Sequence, residues 1–249
     1  LRDDYEVGLY GFSVKFKNLL INVNNAALTV MVPRLSYFVG QHDKKQYDVL
    51  LKKATDSVMA IACGIPIFFC VFASETIKII GGDNYLDAAG TMIVLNLCVI
   101  VLGATWIMGV GVLQTFGRQN LYAKTMWLAV IVNIGVNMFL IPRLGARGAA
   151  LATLITETFN AGMFYYYSKD IIRGNIRWIS YGKLLVIALA GSLVIRYFVT
   201  YIRVGVFVKL IVAAICYGLI YGGAVLILLP NVRSIVLQMF DAFLKKVKG

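Results

Sequence analysis

Five residues of the first apolar stretch carry groups on which chemistry could be built: Lys15, Asn18, Asn22, Asn25 and Thr29. At about 100° per residue of an α-helix they fall within an arc of about 80°. Pro33 and Ser36 continue the same line. One ammonium, three amides and one hydroxyl make a strip suited to holding an anionic or polyhydroxylated ligand. Lipid cannot satisfy such a strip, since a lysine at the centre of a spanning helix costs about 2.5–3.5 kcal/mol on insertion scales. Two readings follow: polar glue between packed helices, or one wall of a hydrated cavity. Lys17 and Asn24 fall on the other side of the helix. There Lys17 is expected to snorkel toward the nearer membrane surface and Asn24 to bond a neighbouring helix.

The strip needs a scaffold, and composition defines it. The 249 residues are 60% hydrophobic and 14% charged, with a mean hydropathy of +0.79. Apolar runs longer than about 18 residues recur along the chain, which defines an all-α, polytopic membrane bundle and excludes a soluble domain. The net charge of +12 would suggest nucleic acid in a soluble protein. Here the basic residues cluster between apolar runs, which points to topology and anionic lipid, with no nucleic-acid partner. Cys63, Cys70, Cys98 and Cys216 all lie in apolar runs without a C-x-x-C pair, and His42 is the sole histidine. No metal, cofactor or disulfide framework is expected from them. The chain starts at Leu1 with no basic, signal-like segment, so it is expected to begin inside a longer protein.

The apolar runs predict seven spans, at about 7–36, 55–80, 88–116, 121–141, 145–167, 184–201 and 206–229. Residues 41–53 are expected to be a charged loop with a short surface helix, Pro66 to kink the second span, and Pro142 to stop the fourth. Residues 168–183 read as a basic loop. The organisation expected is a five-span, cavity-lining bundle at 1–183, two last spans at 184–230 and a cytoplasmic amphipathic tail at 231–249. Of the 24 Lys and Arg residues, fifteen fall in one set of alternate loops and tail, six in the other, and three (Lys15, Lys17, Arg196) within spans. The richer set should be cytoplasmic, which puts the start of the chain outside and its end inside.

Other polar groups sit within the spans. Glu157 shares a face with Thr153, Thr156 and Asn160, and a mid-membrane carboxylate is paired, protonated or in a wet cavity. It reads either as structural or as an ion- or proton-coupling group. Asn133 and Asn137, one turn apart, could meet that face across a short 142–146 hairpin, as packing or as cavity lining. Arg196 could snorkel, hold a lipid phosphate or pair internally. No nucleophile elbow, Walker loop or acid–base pair is present, so an enzyme is not expected.

Several stretches together resemble a known family. Val7-Gly8-Leu9-Tyr10 with Lys15, then Val32-Pro33-Arg34-Leu35-Ser36 with Gly40 and Asp43, is similar to the "VGxY…K" and "PxLS…GD" pattern of polysaccharide flippases. Leu113-Gln114-Thr115-Phe116-Gly117-Arg118 resembles their "LQxxGR" loop. Asn133, Asn137, Ile141-Pro142, Gly145, Gly148-Ala149-Ala150, Ala152-Thr153 and Glu157 resemble their "N…N…IPxxGxxGAAxAT…E" hairpin. The chain is similar to the C-terminal half of a Wzx-type O-antigen or capsule flippase of the MOP superfamily, which also holds the MATE exporters. That resemblance implies a second helical bundle, helices eight to fourteen, with the N-terminal bundle missing. It implies alternating-access translocation of an undecaprenyl-pyrophosphate-linked oligosaccharide, for lipopolysaccharide or other surface polysaccharide, across a bacterial inner membrane. Lys15 would then meet pyrophosphate, Asn18, Asn22 and Asn25 would meet sugars, and the last two spans would hold the polyprenyl tail. A MATE-like drug or metabolite antiporter would want acidic or aromatic cavity groups instead. A seven-span receptor fits the topology but finds no D-R-Y-like triplet, and a membrane glycosyltransferase would need a large catalytic loop.

Overall fold

The structure, a computed structural model, describes residues 4–248, and the side chains of these except at 26–28 and 243–248. Arg2 and the side chains of Lys245, Lys246 and Lys248, which enter the charge count above, lie outside the described residues. Helix α1 is Asp4–Gly40, α2 Lys44–Val71, α3 Ala73–Ile80 and α4 Ala89–Trp106; α5 is Gln119–Ile172, α6 Trp178–Thr200, α7 Val206–Leu228 and α8 Pro230–Lys248. A 3₁₀ turn at Asp83–Ala88 precedes α4, and a π-helical segment, Ile107–Gln114, continues it. Among the described residues there is no strand. The protein is an all-α polytopic bundle.

Among the described residues five elements are long and apolar enough to cross a membrane: α2, the run Asp83–Gln114, α5, α6 and α7. α5 is two arms folded back on one another at Gly145, where φ is +56° and ψ −132°. α1 is long enough, at 37 residues, but its polar strip keeps it out of that set. With α1 and the two arms of α5, seven helices run the length of the bundle. One end holds the start of α1, the 72–88 connection, Gly145 and the α6–α7 turn; the other holds the remaining turns and α8.

Several boundaries differ from the sequence reading. Residues 41–53 are not a loop. Asp43 accepts the Gln46 N–H at 3.0 Å, an N-cap that starts α2 at once, so only 41–43 connect. Pro142 does not stop the fourth span; the helix runs through it and breaks three residues later, where only glycine fits. Pro66 lies within α2, and the break comes at Phe72. Residues 168–183 are largely helical, leaving 173–177 as the turn.

Among the described residues four apolar clusters hold the bundle, the smallest of them joining Leu95 and Cys98 of α4 to Ala150 of α5. α2, α6 and α7 share Cys63, Phe68, Leu184, Ala188, Tyr217 and Tyr221. The Tyr217 and Tyr221 rings are stacked, and their hydroxyls donate to the carbonyls of Gly64 and Ala60 at 2.9 and 2.7 Å. Gly64 is required because Tyr221 lies on it: an added Cβ would sit 2.2 Å from the ring. A second cluster joins the end of α1, α2, the π segment and α5 through Leu35, Leu51, Met108 and Phe164. The third sets Leu9, Phe16 and Leu20 of α1 on Ile77 and Met92.

Candidate functional site

α1 presents three faces, and its sequence dictates each. Leu9, Ser13, Phe16 and Leu20 are buried and dock α1 on α3 and α4. Ser13 answers its hydroxyl within its own helix, donating to the Leu9 carbonyl at 3.0 Å. Opposite that face, Lys15, Asn18, Asn22 and Thr29 are exposed and Asn25 is half-buried. The strip is therefore exposed along most of its length, while Asn25 borders a small pocket with Val58 of α2 and Trp106 of α4. Thr29 spends its hydroxyl proton on the Asn25 carbonyl at 2.9 Å, so it offers an acceptor only.

The third face is a seam with α5. The Glu6 carboxylate accepts the Ala146 N–H at 2.7 Å. It caps the helix that starts after the Gly145 reversal, a negative group at a positive helix end. Its Oε2 lies 2.4 Å from where a Cβ at Gly145 would stand, a second reason for glycine there. Four residues on, the Tyr10 hydroxyl meets Thr153 Oγ1 at 3.4 Å. Lys17 comes next on this face. It is half-buried. α4 and the second arm of α5 flank α1 on this side, which periodicity alone left empty. Asn24, also expected to bond a neighbour, is buried with its Oδ1 unpartnered.

The asparagines of the first α5 arm meet the second arm. Asn133 Nδ2 donates to Thr156 Oγ1 at 3.0 Å and Asn137 Nδ2 to Asn133 Oδ1 at 2.8 Å. Glu157 lies beside this chain; its hydrogen bond comes from Asn160 of its own helix at 3.5 Å. Gly148 lets the arms touch, since a Cβ there would lie 2.4 Å from the Leu140 carbonyl oxygen. A cavity of about 540 Å³ opens beside the reversal, bordered by Glu6, Tyr10, Asn137, Met138 and Ala149. The strip and the seam occupy different faces of α1, so the structure does not bring Lys15 to Glu157.

At the α8 end, polar ties that the sequence reading missed close the bundle. Asp56 is buried at 1% exposure. It accepts the Tyr181 hydroxyl and Asn231 Nδ2, each at 2.7 Å, fastening α6 and α8 to α2. The signal was present: an aspartate inside an apolar run. Asn175 donates to Asp48 at 2.8 Å. Arg118 grips Asp170 with both nitrogens, at 3.1 and 2.6 Å, and the Tyr167 carbonyl at 2.7 Å. The arginine of the loop after the π segment therefore locks the end of α5. Arg196, left undecided by the sequence, donates to the Val71 carbonyl and pairs with Glu75 at 3.4 Å.

A bundle of spanning helices with one exposed cationic and amide face is the build of a polytopic membrane protein. Residues 19–220, most of the chain, match the family of the lipid II flippase MurJ, and the chain belongs to that family. Members of a flippase family are transporters. Among its relatives is the probable low-salt glycan biosynthesis flippase Agl15 of Haloferax volcanii, 23% identical over 230 residues, which are 92% of this chain and 48% of that protein. Another, the uncharacterized membrane protein MJ1068 of Methanocaldococcus jannaschii, is 27% identical over 125 residues, 50% of this chain and 24% of that protein. The fold resembles the inward closed conformation of lipid II flippase MurJ, with a TM-score of 0.75 at 14% identity, covering 91% of this chain and 48% of that one. The chain spans about half the length, or less, of the proteins it matches.

Proposed function

We propose that the protein moves a lipid-linked oligosaccharide across the membrane by alternating access, with the α1 strip binding the polar headgroup. The observation that carries this is the open face of α1. A lysine and three amides lie opposite a buried apolar face, and lipid is the one environment such a face cannot accept. It must border water or a second bundle, and the likeness to about half of Agl15 and of lipid II flippase MurJ supports a second bundle facing it. Lys15 binds the pyrophosphate as a point charge, and Asn18, Asn22 and Asn25 hydrogen-bond sugar hydroxyls, with Thr29 at the margin. In the finer reading the substrate is an undecaprenyl-pyrophosphate-linked repeat of the O-antigen or capsule kind. The membrane is then a bacterial inner membrane, with the α8 end cytoplasmic, as the charge bias supports. Asn133 and Asn137 tie the two arms of α5 together with Glu157 beside them, and these three are the groups through which an ion or proton would be coupled.

The test is complementation of surface polysaccharide in a flippase-null strain, with membrane levels followed by blot. Lys15→Arg should keep part of the activity, Lys15→Ala should lose most and Lys15→Glu all. One charge-assisted contact is worth about 1–3 kcal/mol. Full complementation by Lys15→Glu at normal protein level would return the strip to helix packing.

A further inference from the structure

A cleft of about 180 Å³ lies far from the α1 strip, where the α2–α3 break meets the α6–α7 turn. Its polar wall is Glu75, Arg196, Thr200 and Lys209, and Phe72 and Leu210 are part of its apolar wall. Arg196 is anchored by the Val71 carbonyl and faces Glu75 Oε1 at 3.4 Å, with its side chain still 42% exposed. Lys209 is half-buried and, among the described residues, makes no ion pair. Two cations thus share one carboxylate, leaving a surplus positive charge in a half-buried place.

The surplus is compounded by position. Lys209 stands in the first turn of α7, which has no acidic residue there and no side-chain cap from Gly205. A helix start is already partly positive, so a lysine is unfavourable there unless an anion accompanies it. The outward faces of α6 and α7 beside the cleft are apolar and exposed, with Tyr197, Phe207 and Ile211 among them. A ligand therefore reaches the cleft sideways from the bilayer, its acyl chains along those faces and its charge against Lys209. We propose that this cleft binds the phosphate of an anionic membrane lipid, held by Lys209 and Arg196 at the end of the bundle opposite α8. The inference does not rest on the transport reading.

The experiment uses the purified protein in nanodiscs of phosphatidylcholine with and without phosphatidylglycerol. Retained lipid is counted by native mass spectrometry and thermal unfolding is followed in parallel. The wild type should retain phosphatidylglycerol over phosphatidylcholine and unfold at higher temperature with it. Lys209→Gln should bind it about tenfold more weakly, as loss of one hydrogen bond to a charged group implies, and Lys209→Arg should restore it. No preference for the anionic lipid in the wild type would overturn the proposal. Undiminished retention by Lys209→Gln would also overturn it, and a fall in lipid-free stability in that variant would assign Lys209 to Glu75. If inorganic phosphate reproduces the stabilisation and displaces the lipid, the ligand is a soluble phosphate and the lipid assignment falls.

Discussion

Glu6 and Ala146 stand 140 residues apart in the chain, and the carboxylate of one accepts the backbone N–H of the other at 2.7 Å. This bond joins the first turn of α1 to the first turn of the helix that follows the Gly145 reversal. Glu6→Ala should cost about 1 kcal/mol, the usual loss when an N-cap acceptor is removed. Glu6→Gln, which keeps an acceptor without the charge, should cost less. Denaturant unfolding in detergent measures both, and equal stability of Glu6→Ala and wild type would remove the cap from the account.

Lys17 and Glu157 form the second test. Each is half-buried on the α1–α5 side of the bundle, and a double-mutant cycle measures whether the two charges interact. Lys17→Met and Glu157→Gln should each destabilise, while the double variant should be more stable than their sum predicts. The coupling expected of neighbours is about 0.5–3 kcal/mol. Transport measured in the same set separates the two roles of Glu157. A structural group recovers activity together with stability in the double variant, whereas a coupling group does not. A coupling energy of zero would put Lys17 in solvent.

Asp56 holds two helices. Asp56→Ala strands the Tyr181 hydroxyl and the Asn231 amide, at about 1–3 kcal/mol for each donor left buried and unpaired. α8 should then loosen, and proteolysis within 230–248 in intact membranes should accelerate. Asp56→Asn retains one acceptor and should fall between. Unchanged cleavage of Asp56→Ala would show that α8 is held by its apolar face alone.

The α1 strip was legible because its residues are polar in an apolar run and spaced at helical period, so type and angle coincide. Lys17 was not. Periodicity gives the angle at which a side chain leaves the helix but not what stands there, and the α5 arm beside this face of α1 is supplied from far along the chain. Glu6 was hidden for the same reason: at the head of the chain it reads as a solvated acid. Asp56 lies twelve residues into α2, but it follows Lys52 and Lys53 closely and so reads in sequence as part of the charged 41–53 segment. The reversal at Gly145 falls within the expected 142–146 hairpin; only the stop expected at Pro142 differs, because proline ends helices by propensity whereas here the arms meet through the approach of Gly148 to the Leu140 carbonyl. The π segment at Ile107–Gln114 leaves no pattern in apolar residues, since it is hydrophobic on every side.

The Gly145 reversal has a mechanical consequence. A turn made in one residue contains no slack, so the two arms of α5 cannot slide along each other as tethered rods would. Gly148 against Leu140 removes the clearance for rolling, and Glu6 bolts α1 to the same elbow. Three helices thereby make a single stiff lever with its fulcrum at that end. Whatever pushes on the far end, where Arg118 grips Asp170, reaches the α1 strip as rotation of the whole lever, without bending it.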